Sequence, residues 1–247
     1  MQPVLYQQMR EIEDRHWWFQ GRRQIVSAVL SSLKRPADAK VLDLGCGTGG
    51  NLEMLLDFGS VTGVEMDTEA AALASQRGIA PVSQGSLPDE LPLFDAGFDL
   101  VTMLDVLEHI EQEDASLSAV KQLLEPGGHL LLTVPAFEFL WGPHDESHHH
   151  KRRYRARSLR TALEAAGFRV IRLSYYNTWL FPPVALLRLL RKIMPAGDAE
   201  LEATMPPGWL NRCLKTLFAS ERFVLTRAHF PFGVSLLAVA QKAEDSA

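Results

Sequence analysis

The run Val41-Leu42-Asp43-Leu44-Gly45-Cys46-Gly47-Thr48-Gly49-Gly50 joins an apolar segment, an acid and four glycines. Directly behind it, Leu52, Leu55 and Leu56 begin a helical pattern. Glycine permits a sharp turn and lets a ligand lie against peptide N–H groups. The stretch reads as strand, tight turn and helix start, opening a doubly wound α/β sheet whose ligands sit at the strands' carboxyl ends. A dinucleotide site places its third glycine deeper in the helix and offers the helix N-terminus to a pyrophosphate. Here Asp43 lies within the turn, which suits a cationic ligand group better than a phosphate. A strand-like Val61–Glu65 follows, and Glu65 stands about 20 residues past the turn, where an acid can take two ribose hydroxyls.

Asp43-Leu-Gly-Cys-Gly-Thr-Gly49 with Glu65 resembles motif I and the ribose acid of class I S-adenosylmethionine (SAM)-dependent methyltransferases. The resemblance covers about residues 38 to 176 plus 234 to 242. It implies a Rossmann-like seven-stranded, mostly parallel sheet with helices on both faces and an antiparallel last strand. It also implies SAM as cofactor and S-adenosylhomocysteine as product. Asp43, Gly45, Cys46 and Gly47 would hold the methionine part, Glu65 the ribose, and Met66, Gly85, Ser86 and Leu87 the adenine side. The fourth strand, Phe98–Leu104, runs into Asp105-Val-Leu-Glu108-His109-Ile110, which resembles the family's post-strand segment. That places Leu104 and Asp105 beside the cofactor's sulfonium end, with His109 as a cofactor contact or base and Glu108 as a brace.

The second chemically dense stretch is Trp141-Gly-Pro-His144-Asp145-Glu146-Ser-His148-His149-His150-Lys-Arg152-Arg153-Tyr154, after the fifth strand. As a metal site it lacks HExxH or an established ligand spacing, and no metal is expected from it. As a base, one histidine could take a hydroxyl proton during methyl transfer, a task that an unperturbed pKa of about 6.5 suits. As a solvated loop it would be merely polar. Its pattern resembles a recurring element of bacterial type 11 and type 23 methyltransferases, matched at His144, Asp145, His150, Arg153 and Tyr154. The candidate bases are therefore His144, His150 and His109. Trp141, Asp145, Arg153, Tyr154 and Trp179 are the candidate acceptor contacts.

Three further segments must position these groups. Residues 1–36 read as a helical lid, with Ile25, Val26, Val29, Leu30 and Leu33 in a helical stripe. His16-Trp17-Trp18-Phe19-Gln20-Gly21-Arg22-Arg23 precedes that stripe; either the string is a helix–helix junction anchoring the N-terminus, or Trp17 covers the ligand and Arg22 or Arg23 reaches the methionine carboxylate. Residues 37–176 and 232–247 form the methyltransferase core. Residues 177–231 form a helical insertion before the last strand, read as a cap on the acceptor side. Its Trp179–Met194 stretch is apolar with Arg188, Arg191 and Lys192 near one side. It is too short and charged to span a bilayer, but could lie on a membrane, line the acceptor site or form a dimer seam.

The 247 residues, 47% hydrophobic and 22% charged, can bury a large core, and a formal charge of −5 argues against a nucleic-acid partner. Cys46 and Cys213 make no disulfide framework. A cytoplasmic monomer or homodimer is expected, with peripheral contact at the inner membrane face left open. The expected reaction is methylation of a small-molecule or lipid- or glycan-linked acceptor, with oxygen favoured over nitrogen or carbon. A non-catalytic SAM-binding partner protein and a nicotinamide-dependent dehydrogenase are the rival readings.

Overall fold

A computed structural model describes residues 3–193 and 205–242. Residues 1–2 of the expected lid, 194–204 of the insertion and 243–247 of the expected core lie outside the described residues. Two helices, α1 (Pro3–Ile12) and α2 (Trp17–Leu30), precede strand β1 (Lys40–Leu44). Then come α3 (Leu52–Leu55), β2 (Ser60–Glu65), α4 (Thr68–Ser75), β3 (Val82–Gln84), β4 (Phe98–Leu104), α5 (Glu113–Leu123) and β5 (Leu124–Pro135). The rest is α6 (Pro143–Ser147), α7 (Ala156–Ala165), β6 (Phe168–Tyr176), α8 (Phe181–Ile193), α9 (Gly208–Ala219), α10 (Arg222–Leu225) and β7 (Ser235–Lys242).

The seven strands form one sheet in the order β3-β2-β1-β4-β5-β7-β6, parallel except for β7, which pairs antiparallel with both neighbours. Side chains alternate between its faces as strand geometry requires. Leu42, Leu44, Val101, Met103, Leu130 and Leu132 pack with Leu117, Val120, Leu159 and Leu163 of α5 and α7. Val41, Leu100, Leu104, Leu131, Leu237 and Val239 pack with Ile25, Val29, Leu52, Phe218 and Leu225 on the other face. The expected fold class holds.

Local contacts set several helix boundaries. Asp67 caps α4, accepting from the amides of Glu69 and Ala70 at 3.0 Å each. Ser158 lies inside α7 and accepts from the Arg155 amide at 3.1 Å. Between α9 and α10 the helical run breaks where Glu221 turns inward. Its carboxylate accepts from the amides of Asn177, Thr178 and Trp179 at 2.7, 2.6 and 2.9 Å, tying the end of β6 to the α9–α10 joint. Burial pushes that carboxyl up to about 7 against these three donors.

The insertion divides between two neighbours. α9 packs along α2, and a Cβ on Gly21 would stand 2.5 Å from Phe218 Cδ1, so only glycine allows this approach. α8 lies by the 3-10 turn Glu138–Leu140, where Arg188 donates to the Leu140 carbonyl at 2.7 Å. Arg188 is thus turned inward, while Leu186, Leu187, Leu189 and Leu190 are exposed. No helix among the described residues is long and apolar enough to cross a membrane.

Candidate active site

At the carboxyl end of β1 the chain turns through Gly45 and Gly47, with φ of +69° and +56°. A Cβ on Gly47 would meet nothing within 4 Å, so the outer face of this turn is open. Asp43 is buried just below it. Its Oδ1 accepts from the Thr102 hydroxyl at 2.6 Å, and Thr102 stands opposite Asp43 in the β1–β4 ladder. Its Oδ2 is buried without a hydrogen-bond partner. Burial, outweighing the Thr102 hydrogen bond and the Arg22 charge, pushes this carboxyl up to about 6.

Arg22 reaches this region from α2. Its guanidinium pairs with Asp105 and lies 4.4 Å from the Trp18 ring centroid, while its buried Nε has no partner. Asp105 follows β4 directly in a left-handed conformation, φ +60°. Glu65, at the end of β2, accepts from the amides of Gly47 at 2.8 Å and Asp67 at 3.0 Å. Its burial raises its pKa against those hydrogen bonds. Asp43, Gly45, Gly47, Glu65, Asp105 and Arg22 therefore gather at the carboxyl ends of β1, β2 and β4.

The other expected cofactor contacts are more varied. Cys46 is buried, and burial raises its thiol pKa. Met66 is exposed, and the Gly85 amide donates to the Glu65 carbonyl at 3.0 Å. The Ser86 hydroxyl donates to Glu90 at 2.9 Å, inside a bridge from Ser86 to Glu90. Leu87 packs against the α5–α7 core and Leu104 against the opposite one. Trp17 lies in the junction between α2 and α9. It packs edge-on against Phe218 at 5.8 Å and its amide donates to Asn211 at 2.8 Å, because the close approach at Gly21 draws α9 onto that end of α2. Arg23 donates to the carbonyls of Glu13 and Gly50, not outward to a ligand.

The histidine-rich loop folds back on the turn after β4. The Lys151 amide donates to the Glu108 carbonyl at 2.7 Å, and Arg152 donates to the carbonyls of Ile110 and Glu111 at 3.0 Å each. This brings His109 and His150 edge to face at 4.7 Å, with His144 at 5.8 Å and His148 at 6.0 Å from His150. Three of these four are the expected bases, and His148 joins them. His150 Nδ1 lies 2.8 Å from Asp145 Oδ1, which fixes the imidazole's orientation and leaves Nε2 for other contacts. Burial and the facing His150 and His148 lower His109 to about 4, so it is neutral at pH 7.

Asp145, Arg153 and Tyr154, expected to meet an acceptor, face inward. Asp145 is fully buried and receives Arg153 Nε at 2.8 Å, Arg153 Nη2 at 3.0 Å and the Gly142 amide at 2.9 Å. Arg153 also donates to the Ala136 carbonyl at 3.0 Å. Tyr154 is buried in the α5–α7 core with its hydroxyl on Glu113. These three hold the loop's shape. Trp179 is half-exposed and packs edge-on against Phe230 at 5.4 Å, and Trp141 is half-buried after the 3-10 turn.

Two buried acids of the site have surroundings that the sequence did not show. Glu13 receives the Thr48 hydroxyl and, at 2.6 Å, Arg77, lashing the α1–α2 joint onto the glycine turn. Glu108 was read as a brace, yet it is fully buried with both carboxylate oxygens unpartnered, and burial, with Asp105 nearby, raises its pKa well above the usual range. No periodicity or spacing marks either acid, because their surroundings come from segments far apart in the chain.

A family model described as a methyltransferase domain matches residues 16–173. A "Probable S-adenosylmethionine-dependent methyltransferase" of Mycolicibacterium smegmatis is 30% identical over 165 residues, 64% of this chain and 62% of that protein. The ubiquinone biosynthesis O-methyltransferase of Xanthomonas axonopodis pv. citri is 34% identical over 119 residues, 46% of this chain and 48% of that one. The chain thus spans less than two-thirds of the length of these curated relatives. Among solved structures, a chain from the complex between the Haloferax volcanii Trm112 methyltransferase activator and a methyltransferase superposes with a TM-score of 0.64 at 20% identity, covering 99% of this chain and 96% of that one.

Proposed function

Since the chain belongs to the methyltransferase-domain family matched over residues 16–173 and is SAM-dependent, we propose that it methylates an oxygen of a ring-bearing or lipid-linked small molecule. When bound, SAM supplies an electrophilic methyl group on a sulfonium sulfur. The residues present suit that cofactor. Buried polar groups are normally satisfied, and the unpartnered Asp43 Oδ2 offers an acceptor for the ammonium of the methionine part. The unpartnered Arg22 Nε offers a donor for its carboxylate. Glu65 takes the ribose hydroxyls, and the open backbone at Gly47 admits the ligand.

The observation that carries the oxygen reading is the pair Asp145–His150 set beside His109. A hydroxyl is a weak nucleophile until it loses its proton, and an oriented neutral imidazole is the group that takes it near pH 7. Asp145 orients His150, while the zipped loop holds both near the carboxyl end of β4. Alignment and exclusion of water supply the rest. Phe137, stacked on Tyr175 at 4.9 Å and edge-on to Phe181 at 5.9 Å, adds an aromatic wall next to this loop. The name of the ubiquinone biosynthesis relatives is in keeping with an aromatic hydroxyl acceptor.

The test is transfer of labelled methyl from SAM to a panel of catechols, prenylated phenols and lipid-linked sugars, against amines of similar shape. Turnover on a hydroxyl acceptor, lowered at least a hundredfold in His150→Gln with SAM affinity kept, is the expected result. Turnover on amines alone, or full activity in the variant, overturns the assignment.

A further inference from the structure

Glu108, His109 and His150 bring one ligand atom each to within 4.8 Å of one another. Glu108 and His109 are neighbours in the 3-10 turn Leu107–His109, and His150 comes from the folded-back loop. The Lys151–Glu108 backbone bond fixes the two segments against each other. Two members of the trio have a further feature of a ligand. Glu108 is fully buried, and neither of its carboxylate oxygens has a partner. Such a carboxyl is costly unless it is neutralised or paired. His150 gives its Nδ1 to Asp145 at 2.8 Å, the carboxylate–histidine arrangement that orients a metal-binding imidazole. Asp145 is itself locked by Arg153 and the Gly142 amide, so the second layer of contacts is already built.

We propose that Glu108, His109 and His150 bind a divalent transition-metal cation at the carboxyl end of β4. Two imidazoles and one carboxylate suit zinc, iron(II) or cobalt(II), whereas magnesium and calcium prefer all-oxygen shells. Ligands bound at about 2.1 Å around a tetrahedral ion stand roughly 3.4 Å apart, so closure from the observed spacing needs only side-chain rotation. Three protein ligands leave a position open, as in catalytic and not structural sites. Linear spacing concealed the trio, since two ligands are consecutive and the third lies in a separate loop.

The consequence rests on the oxygen-methylation reading above. An acceptor hydroxyl at the open position becomes more acidic, as a water on zinc does. Its O–H proton passes to solvent or a neighbouring imidazole, the oxygen's electron pair forms the O–CH3 bond, and the C–S pair returns to sulfur. His150 then acts as a ligand, and the cation takes over the acidifying role.

The experiment uses the tag-free full chain, stripped with a chelator, titrated with cobalt(II) and followed by its visible d–d absorption, then with zinc by calorimetry. One ion per chain is expected, with an intense four- or five-coordinate cobalt spectrum. Affinity should fall at least a hundredfold in Glu108→Gln and in His109→Gln, and about tenfold in Asp145→Asn, within the usual effect of a supporting residue. His149→Gln, an exposed position, should bind as wild type. Absence of a cobalt spectrum and of zinc heat overturns the proposal, and so does binding indifferent to both Glu108→Gln and His109→Gln. Circular dichroism confirms that the near-isosteric Glu108→Gln is folded. SAM titration of the stripped protein separates the two readings: SAM binding without metal binding defeats the cation site alone, whereas metal binding without SAM binding defeats the transferase reading.

Discussion

Asp145 should be the costliest side chain of the acceptor-side loop to remove. It is fully buried and receives four hydrogen bonds, from His150, twice from Arg153 and from the Gly142 amide, all between 2.8 and 3.0 Å. Arg188 adds a cation at 3.8 Å. Asp145→Ala removes the carboxylate to which Arg153 Nε and Nη2 donate, and breaking a buried pair in this way costs about 3–5 kcal/mol. Asp145→Asn keeps one acceptor and should cost about 2 kcal/mol, close to one charged hydrogen bond. Against a total stability of about 5–15 kcal/mol, either loss is large. Urea unfolding at pH 7 reads it as a lowered midpoint at constant slope. The pH dependence adds a second check. Burial opposes ionisation of Asp145, but hydrogen bonds from His150 and Arg153, with Arg153's charge, outweigh it and hold the carboxyl below the usual range. A depressed carboxyl contributes its stability above the unfolded value of about 3.9 and loses it as the pH falls further. The gap between wild type and Asp145→Ala should therefore be full from pH 5 to 8 and narrow below about pH 4. A loss under about 1 kcal/mol for Asp145→Ala at pH 7 refutes the reasoning, because breaking a buried ion pair costs more than that.

Asp43 yields two predictions from its raised carboxyl. SAM affinity should be flat above about pH 7 and fall about tenfold by pH 5, as the acid takes up its proton near 6 and loses the ammonium; calorimetry across that range reads it, and a flat profile refutes it. Because the folded-state pKa is raised, the wild-type fold loses stability as pH rises from about 4 to 6. Asp43→Asn should consequently stabilise the unliganded protein by about 2–3 kcal/mol at pH 7.5 and hardly at pH 4, seen by urea unfolding at the two pH values. Gly21→Ala drives a methyl onto Phe218 and should destabilise by about 1–3 kcal/mol, with α9 amides losing hydrogen-exchange protection before those of the central strands. Wild-type protection of α9 in that variant would mean the seam is looser than described.

The parts of this molecule legible in its sequence are those written in short windows. The β1 strand, the glycine turn and Glu65 lie within 25 residues, from Val41 to Glu65, and their types identify both the turn and the ligand class. The strand Phe98–Leu104, nearly all apolar, is local for the same reason. What escaped is made of partners distant in the chain. Asp43 and Thr102 meet only once β1 and β4 are paired. Glu13 and Arg77 meet only when α1 docks on the turn. Arg188 reads as part of a basic helix face, yet packing turns it toward Leu140. Asp145, Arg153 and Tyr154 carry the polarity of a ligand site but spend it on holding their own loop. The break at Glu221 depended on three amides at the end of β6, distant from it in the chain.

The division of the site into a cofactor half at Asp43 and an acceptor half at His150 is tested most directly by calorimetric titration of SAM into wild type, Asp43→Ala and His150→Gln. Saturable binding to wild type and to His150→Gln, with none to Asp43→Ala, is the predicted result. Tight binding to Asp43→Ala, or its loss in a folded His150→Gln, would contradict the account.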